Sequence, residues 1–203
     1  RSSLERFSAN VRESADLLER NLVRAANLIQ NFKQVAVDQT SDRRRVFDLA
    51  TVLEEVRMTL VPRFKHSPYA LELQAEGGVS MDSYPGALGQ IVTNLIENAL
   101  VHAFDERPHG HILLQARLLD AEHAEIVCSD DGQGMEEAVR ARIFEAFFTT
   151  KFGQGGSGLG MQIVHTLVHG LLGGRVGVES QPGGGTRVTI ILPRRAPERS
   201  NAS

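Results

Sequence analysis

Tyr84-Pro85-Gly86-Ala87-Leu88-Gly89-Gln90-Ile91-Val92-Thr93-Asn94-Leu95-Ile96-Glu97-Asn98-Ala99-Leu100-Val101-His102 reads as one long helix. A proline at a first-turn position gives up an N–H that has no intrahelical acceptor there, and its fixed φ is already helical. Leu88, Ile91, Val92, Leu95, Ile96 and Ala99 recur at spacings of three and four and give the helix one apolar face. Asn94, Asn98 and His102 recur every four residues and form a polar stripe along the border of that face. An amide left unpaired at a buried surface costs about 1–3 kcal/mol, so the stripe needs partners. The amides either cap neighbouring backbone groups or offer oxygen to a hard cation such as Mg²⁺, which takes few protein ligands and keeps several waters.

Downstream, strands are predicted at His111 to Leu118 and Ala124 to Ser129, and the second runs into Ser129-Asp130-Asp131-Gly132-Gln133-Gly134-Met135. A carboxylate at a strand end can accept from an exocyclic amine, and Gly-x-Gly lets backbone approach a ring or a phosphate; a plain turn is the competing explanation. The third glycine of a dinucleotide fingerprint is missing. Gly155-Gly156-Ser157-Gly158-Leu159-Gly160 leads into a helix predicted from Met161 to Leu171. Glycine-bared N–H groups at a helix start can cradle phosphate, although a flexible linker would show the same composition. No Gly-Lys-Ser/Thr occurs, which excludes a Walker-type loop. Between the glycine clusters, Ile143-Phe144-Glu145-Ala146-Phe147-Phe148-Thr149-Thr150-Lys151 suggests a loop anchored by aromatic packing and free to move elsewhere. Strands near Arg175 to Ser180 and Thr186 to Leu192 close the chain, joined through Pro182-Gly183-Gly184-Gly185, which alone reads as a hairpin turn.

Upstream, Leu49, Val52, Leu53, Val56 and Leu60 mark a short helix ending near Pro62, and Tyr69 to Ala75 alternates as a strand. Val11, Ala15, Leu18, Leu22, Ala25, Ile29, Phe32 and Ala36 form a narrow stripe of alternating four and three, the pattern of a long helix that needs a partner helix. Asp38 to Arg45 reads as a linker. The order of elements predicts an α+β fold: a mixed sheet covered by helices on one face, preceded by the long N-terminal helix.

Composition narrows the function. The 203 residues carry a net charge of −3, which gives no surplus for nucleic-acid binding; Arg43-Arg44-Arg45 reads as solvated linker or as a pairing site for acidic groups. No apolar run approaches the roughly 20 residues of a membrane span, so no membrane contact is expected. The one cysteine, Cys128, suits a reducing cytosol and inert packing. The first residues have no apolar signal core and no methionine, so the chain is expected to belong to a larger protein.

Asn94 to His102, Asp130 to Gly134, Phe144 to Phe148, Gly156 to Gly160 and Gly185-Thr186 resemble, in order and spacing, the nucleotide-binding motifs of sensor histidine kinases. The resemblance implies the Bergerat α/β sandwich, ATP and Mg²⁺ as cofactors, and roles for matching positions. Asp130 would accept from the adenine amine, flanked by Gly132 and Gly134. Asn98 would bind Mg²⁺ with Asn94 nearby, and His102 would stand beside the nucleotide. Gly156, Ser157, Gly158, Leu159 and Gly160, with Thr150 and Lys151 before them, would form the lid and phosphate cradle; Thr186 would support Asp130 through a water. Residues 1–45 look like the second helix of the family's dimerisation hairpin plus linker, 46–195 like the catalytic domain, and 196–203 like a tail.

Two departures sharpen that expectation. ATP-hydrolysing members of the superfamily carry a glutamate base where this chain has Asn94, which cannot accept a proton at neutral pH. Glu97 points about 100° from Asn98 around the helix and is a poor substitute. None of the seven histidines sits as a phosphoacceptor on a hairpin helix, so the acceptor is expected upstream of Arg1. The resemblance then implies transfer of the ATP γ-phosphoryl to a histidine elsewhere and on to a response-regulator receiver domain, in a homodimer held by its hairpin helices. The expected location is cytoplasmic, with any inner-membrane anchor outside this chain. The rival expectation is a non-catalytic ATP-binding module acting through its helix.

Overall fold

The structure is a computed structural model that describes residues 43–65, 67–105, 107–151 and 156–198, together with Phe7, Val11 and Ser14. The chain forms two compact units, Arg1–Gln39 and Thr40–Ser203. In the first, Phe7, Val11 and Ser14 are helical and exposed. The rest of the predicted seam, from Ala15 to Ala36, lies outside the described residues.

In the second unit the elements are β1 (Arg45–Asp48), α1 (Leu49–Phe64), β2 (Tyr69–Ala75), β3 (Ser80–Ser83), α2 (Pro85–His102), β4 (Gly110–Leu118) and β5 (His123–Asp130). They continue with α3 (Glu137–Arg140), α4 (Gly160–Thr166), a π-helical turn (Leu167–Leu171), β6 (Arg175–Ser180) and β7 (Thr186–Pro193). The five-stranded sheet has the order β2-β4-β5-β7-β6, with β2 and β4 parallel and the other pairs antiparallel. Alternation puts Ile112, Leu114 and Ala116 of β4, Ala124, Ile126 and Cys128 of β5, and Val188, Ile190 and Leu192 of β7 in the core. α1 packs on β2 and α2, and α2 packs on α4 and β5, so the helices close over the apolar side of the sheet. This is the predicted mixed sheet with one helical layer.

α2 keeps to its sequence signals: Pro85 opens it, and Leu88, Ile91, Val92, Leu95, Ile96 and Ala99 are buried. Each large aliphatic side chain so buried contributes about 1.5–3 kcal/mol, which offsets the ordering of a helix containing two glycines. α1 buries Leu49, Val52, Leu53, Val56 and Leu60 as its pattern predicts, and Asp48 caps it by accepting from Thr51 N at 3.0 Å. It runs past Pro62 to Phe64. A proline in the last turn deletes one bond of a ladder that is ending anyway.

Three expectations are corrected. Arg45 opens a strand rather than closing a linker: β1 pairs antiparallel with β3 in a separate two-stranded sheet. Arg44 stands beside it with Nε and Nη2 each 2.9 Å from Asp82, which holds that carboxyl below its ordinary range. The glycine-rich run Gly132 to Gly160 contains the short helix α3. The helix predicted over Met161 to Leu171 starts at Gly160 and changes to a π-turn at Leu167.

Candidate functional site

The elements leave a hollow of about 550 Å³ between α2, the end of β5, and the segment from Glu136 to Met161. Asp130 is the last residue of β5, directly across the ladder from Thr186 at the start of β7. Its Oδ1 accepts from the N–H of Gly132 at 2.9 Å and of Thr186 at 3.3 Å. Among the described residues Oδ2 has no such partner. Burial pushes the Asp130 carboxyl above its ordinary range, and the two backbone donors pull against that shift. The Thr186 hydroxyl lies 3.0 Å from Ser180 Oγ, which also bonds Met135 N and the Gly185 carbonyl. Thr186 meets the Asp130 carboxylate through its backbone N–H, while its hydroxyl faces Ser180.

The turn after Asp130 is clamped onto the C-terminal end of α2. Gln133 donates from its N–H to the Ala103 carbonyl at 2.8 Å and from Nε2 to the His102 carbonyl at 2.7 Å. A Cβ at Gly132 would run into the Ala103 carbonyl oxygen, and Gly134 has φ of 65° against the Gln181 carbonyl. Both positions therefore demand glycine.

On α2, the stripe faces the start of α4. A Cβ on Gly160 would lie 3.0 Å from Asn98 Oδ1 and 3.2 Å from Asn94 Oδ1, so a side chain there would press on both amides. Asn94 Nδ2 donates to the Gln90 carbonyl at 2.9 Å, the capping alternative realised on its own helix. Among the described residues Asn98 Nδ2 is buried and has no hydrogen-bond partner. Such an atom is an unmet demand of about 1–3 kcal/mol, of the kind found where a ligand completes the site. His102 Nδ1 lies 3.3 Å from Thr150 Oγ1. Burial, then the Lys151 charge, lowers its pKa, with Asp105 opposing.

Eleven of the residues singled out from the sequence line the hollow: Asn94, Asn98, His102, Asp130, Gly134, Thr150, Gly156, Ser157, Gly158, Gly160 and Thr186. Gly132, Lys151 and Leu159 do not. Gly132 is packed behind the Asp130 turn, Leu159 is buried, and Lys151 Nζ is 2.8 Å from Asp105 Oδ1. Gly158 has φ of 70° and its Cα would carry a Cβ 2.5 Å from the Phe147 carbonyl carbon, so the glycine run is pressed against the aromatic segment. Met135, Ile143, Phe148, Thr149 and Met161 complete the walls, and Cys128 and Val188 lie at the sheet side. Burial raises the Cys128 thiol to about 12, which makes it a packing group rather than a nucleophile. Arg63 and Glu97 also reach the hollow and pair with each other; their juxtaposition comes from helix packing and has no signal in local sequence.

A strand-end carboxylate, a helix-borne asparagine and a glycine-bared helix start around one hollow describe a nucleotide-binding ATPase domain. Residues 84–196 match the histidine kinase-, DNA gyrase B-, and HSP90-like ATPase family, and the chain belongs to it. Within it, the likeness is to the catalytic, ATP-binding domain of sensor histidine kinases. The chain is 30% identical over 196 residues to the alginate biosynthesis sensor protein KinB of Pseudomonas aeruginosa, a match covering 92% of this chain and 32% of the relative. A solved mycobacterial sensor histidine kinase MprB superposes with a TM-score of 0.63 at 28% identity, over 76% of this chain and all of that one. Full-length ShkA, solved in complex with AMPPNP, gives 0.66 at 27% identity over 82% of this chain and 36% of its own. This chain spans a third or less of the length of the curated relatives it matches first. Among the described residues no helix is long and apolar enough to cross a membrane.

Proposed function

We propose that the chain binds Mg-ATP in the hollow between α2 and β5 and, in a sensor histidine kinase, passes the γ-phosphoryl group to a histidine outside these 203 residues. From there it goes to an aspartate of a response-regulator receiver domain. The convergence of Asp130, Asn98, Gly158 and Gly160 on one hollow of about 550 Å³ carries this assignment. That volume lies in the range of small-molecule sites, roughly 300–1,000 Å³.

Asp130 suits the adenine amine because its Oδ1 is already held by two backbone N–H groups, which orients the carboxylate before any ligand arrives. The Asn98 amide fits the cofactor: among the described residues its buried Nδ2 has no partner, so no hydrogen bond from that atom fixes the amide's orientation, and turning it over would offer Oδ1 to the cation from the same place. Asn98 Oδ1 and the phosphate oxygens together would hold Mg²⁺, a hard ion that takes few protein ligands. When bound, the ion neutralises charge on the phosphate oxygens. Gly156, Ser157, Gly158, Leu159 and Gly160 would present backbone N–H groups to the phosphates, with His102 and Thr150 at the rim. Lys151 reaches phosphate only by exchanging its ion pair with Asp105.

The position of the superfamily's hydrolytic glutamate is held by Asn94, which cannot accept a proton at neutral pH, so transfer rests on positioning. With Arg45 moved into β1, residues 1–44 are taken as the second hairpin helix and linker, 45–195 as the catalytic domain and 196–203 as a tail, in a homodimer held by the hairpins. Incubated alone with labelled ATP, the chain should bind nucleotide without becoming labelled. Mg-ATP at about a hundredfold over its Kd should stabilise the fold by roughly 2.7 kcal/mol. An unmoved unfolding midpoint would sink the proposal.

A further inference from the structure

We infer that Arg63, in the last turn of α1, is a ligand for the terminal phosphate of the nucleotide, held in waiting by Glu97. The inference rests on the Mg-ATP assignment and extends it to a residue that lies outside the stretch matched to the family, residues 84–196.

Charge is the first reason. Asp130, Glu97 and Glu136 all line the hollow, whereas Arg63 carries the one guanidinium or ammonium among the described residues that line it. Lys151 is turned onto Asp105 outside the lining, and burial disfavours the charged form of His102. A triphosphate, even with one Mg²⁺, remains an anion and needs a cation at its end.

Position is the second. The Asp130 turn is clamped to the C-terminal end of α2 through Gln133, which puts the base end of the hollow beside His102 and Ala103. Moving toward the N-terminus of α2, the next turns carry Asn98 and then Asn94, opposite Gly160. Glu97 follows Asn94 by three residues and so neighbours it on the helix surface. Arg63 Nη1 meets Glu97 Oε1 at 2.5 Å and both residues line the hollow, which puts the guanidinium at the level of Asn98 and Asn94 on α2, N-terminal to the His102 and Ala103 end where the Asp130 turn is clamped.

The contact is also easy to exchange. It is a single bond between side chains that are 58% and 37% exposed, a kind of pair that adds little to stability. α1 is already held by buried Leu53, Val56 and Leu60 in the shared core, so the pair is not needed as a tether. A guanidinium fork meets two phosphate oxygens at once, which one carboxylate oxygen does not match.

The test is calorimetric titration of the wild-type chain, Arg63→Gln and Glu97→Gln with Mg-ATP and Mg-ADP. Arg63→Gln should weaken ATP about tenfold while ADP changes less than about twofold. Glu97→Gln, which frees the guanidinium without touching it, should tighten ATP about two- to threefold and leave ADP alone. That variant tests the same contact if Arg63→Gln folds poorly. Equal losses for ATP and ADP, or no change in either, overturn the role of Arg63 alone. A wild-type chain that binds neither nucleotide overturns the Mg-ATP assignment, and this inference with it.

Discussion

Replacing Asp130 by asparagine separates a binding role from a structural one. The two backbone donors on Oδ1, Gly132 N at 2.9 Å and Thr186 N at 3.3 Å, can be kept by an amide oxygen in the same place. What is lost is the negative charge and the acceptor at the second oxygen. Burial is the largest influence on this carboxyl and raises its pKa, so the fold prefers the neutral form. With a raised folded pKa the native state binds the extra proton, and stability falls as pH rises from the ordinary value of 3.8 through the folded one. At neutral pH the full penalty of the buried charge is present, and Asp130→Asn removes it. The free variant should therefore be as stable as wild type or more stable. Its affinity for Mg-ATP should fall by about 1.5–3 kcal/mol, the worth of a charge-assisted hydrogen bond, or roughly 10- to 150-fold in Kd. Urea denaturation without nucleotide and calorimetric titration with it measure the two effects. A variant that loses stability but keeps its affinity would refute the reasoning, because the carboxylate would then be a brace for the β5–β7 corner.

Asn98→Ala removes the orphaned Nδ2, so thermal unfolding of the free protein should move by less than about 1 kcal/mol while the Mg²⁺ dependence of ATP binding is lost. The folded pKa of His102 is lowered, first by burial and then by Lys151; the unfolded chain binds its proton more readily, and stability should drop as pH falls below 6.5 toward the folded value. Midpoints measured across that window should flatten in His102→Gln, and an unaltered profile would assign the effect to another group. Gly134→Ala meets both a left-handed φ of 65° and the Gln181 carbonyl, so chemical denaturation should show a loss of at least about 2 kcal/mol.

The predicted elements that survived best were those with long, regular patterns. α2 carries eighteen residues whose 3.6-residue period, opening proline and polar stripe all agree, and its bounds match the pattern closely. The strands from Gly110 and His123 alternate over nine and eight residues, enough for a period of two to show. β1 and β3 have four residues each and pair only through the fold, Arg45 with Ser83, so neither shows a period of its own. α3 is likewise four residues inside a glycine-rich run.

The same division runs through the site. Sequence alone determined which strand end carried the carboxylate and which helix face carried the amides, because each is encoded within a few residues of itself; that Gly132 and Gly134 must be glycine follows from the Ala103 and Gln181 carbonyls that the fold packs against them. Only the tertiary structure decided that Asn98 Nδ2 would find no partner among the described residues, that Lys151 would turn to Asp105, and that Arg63 would arrive beside Glu97 from 34 residues earlier in the chain. Those outcomes depend on how α1, α2 and the segment before α4 pack against one another. Packing is a sum over contacts distant in sequence, and no local pattern records it.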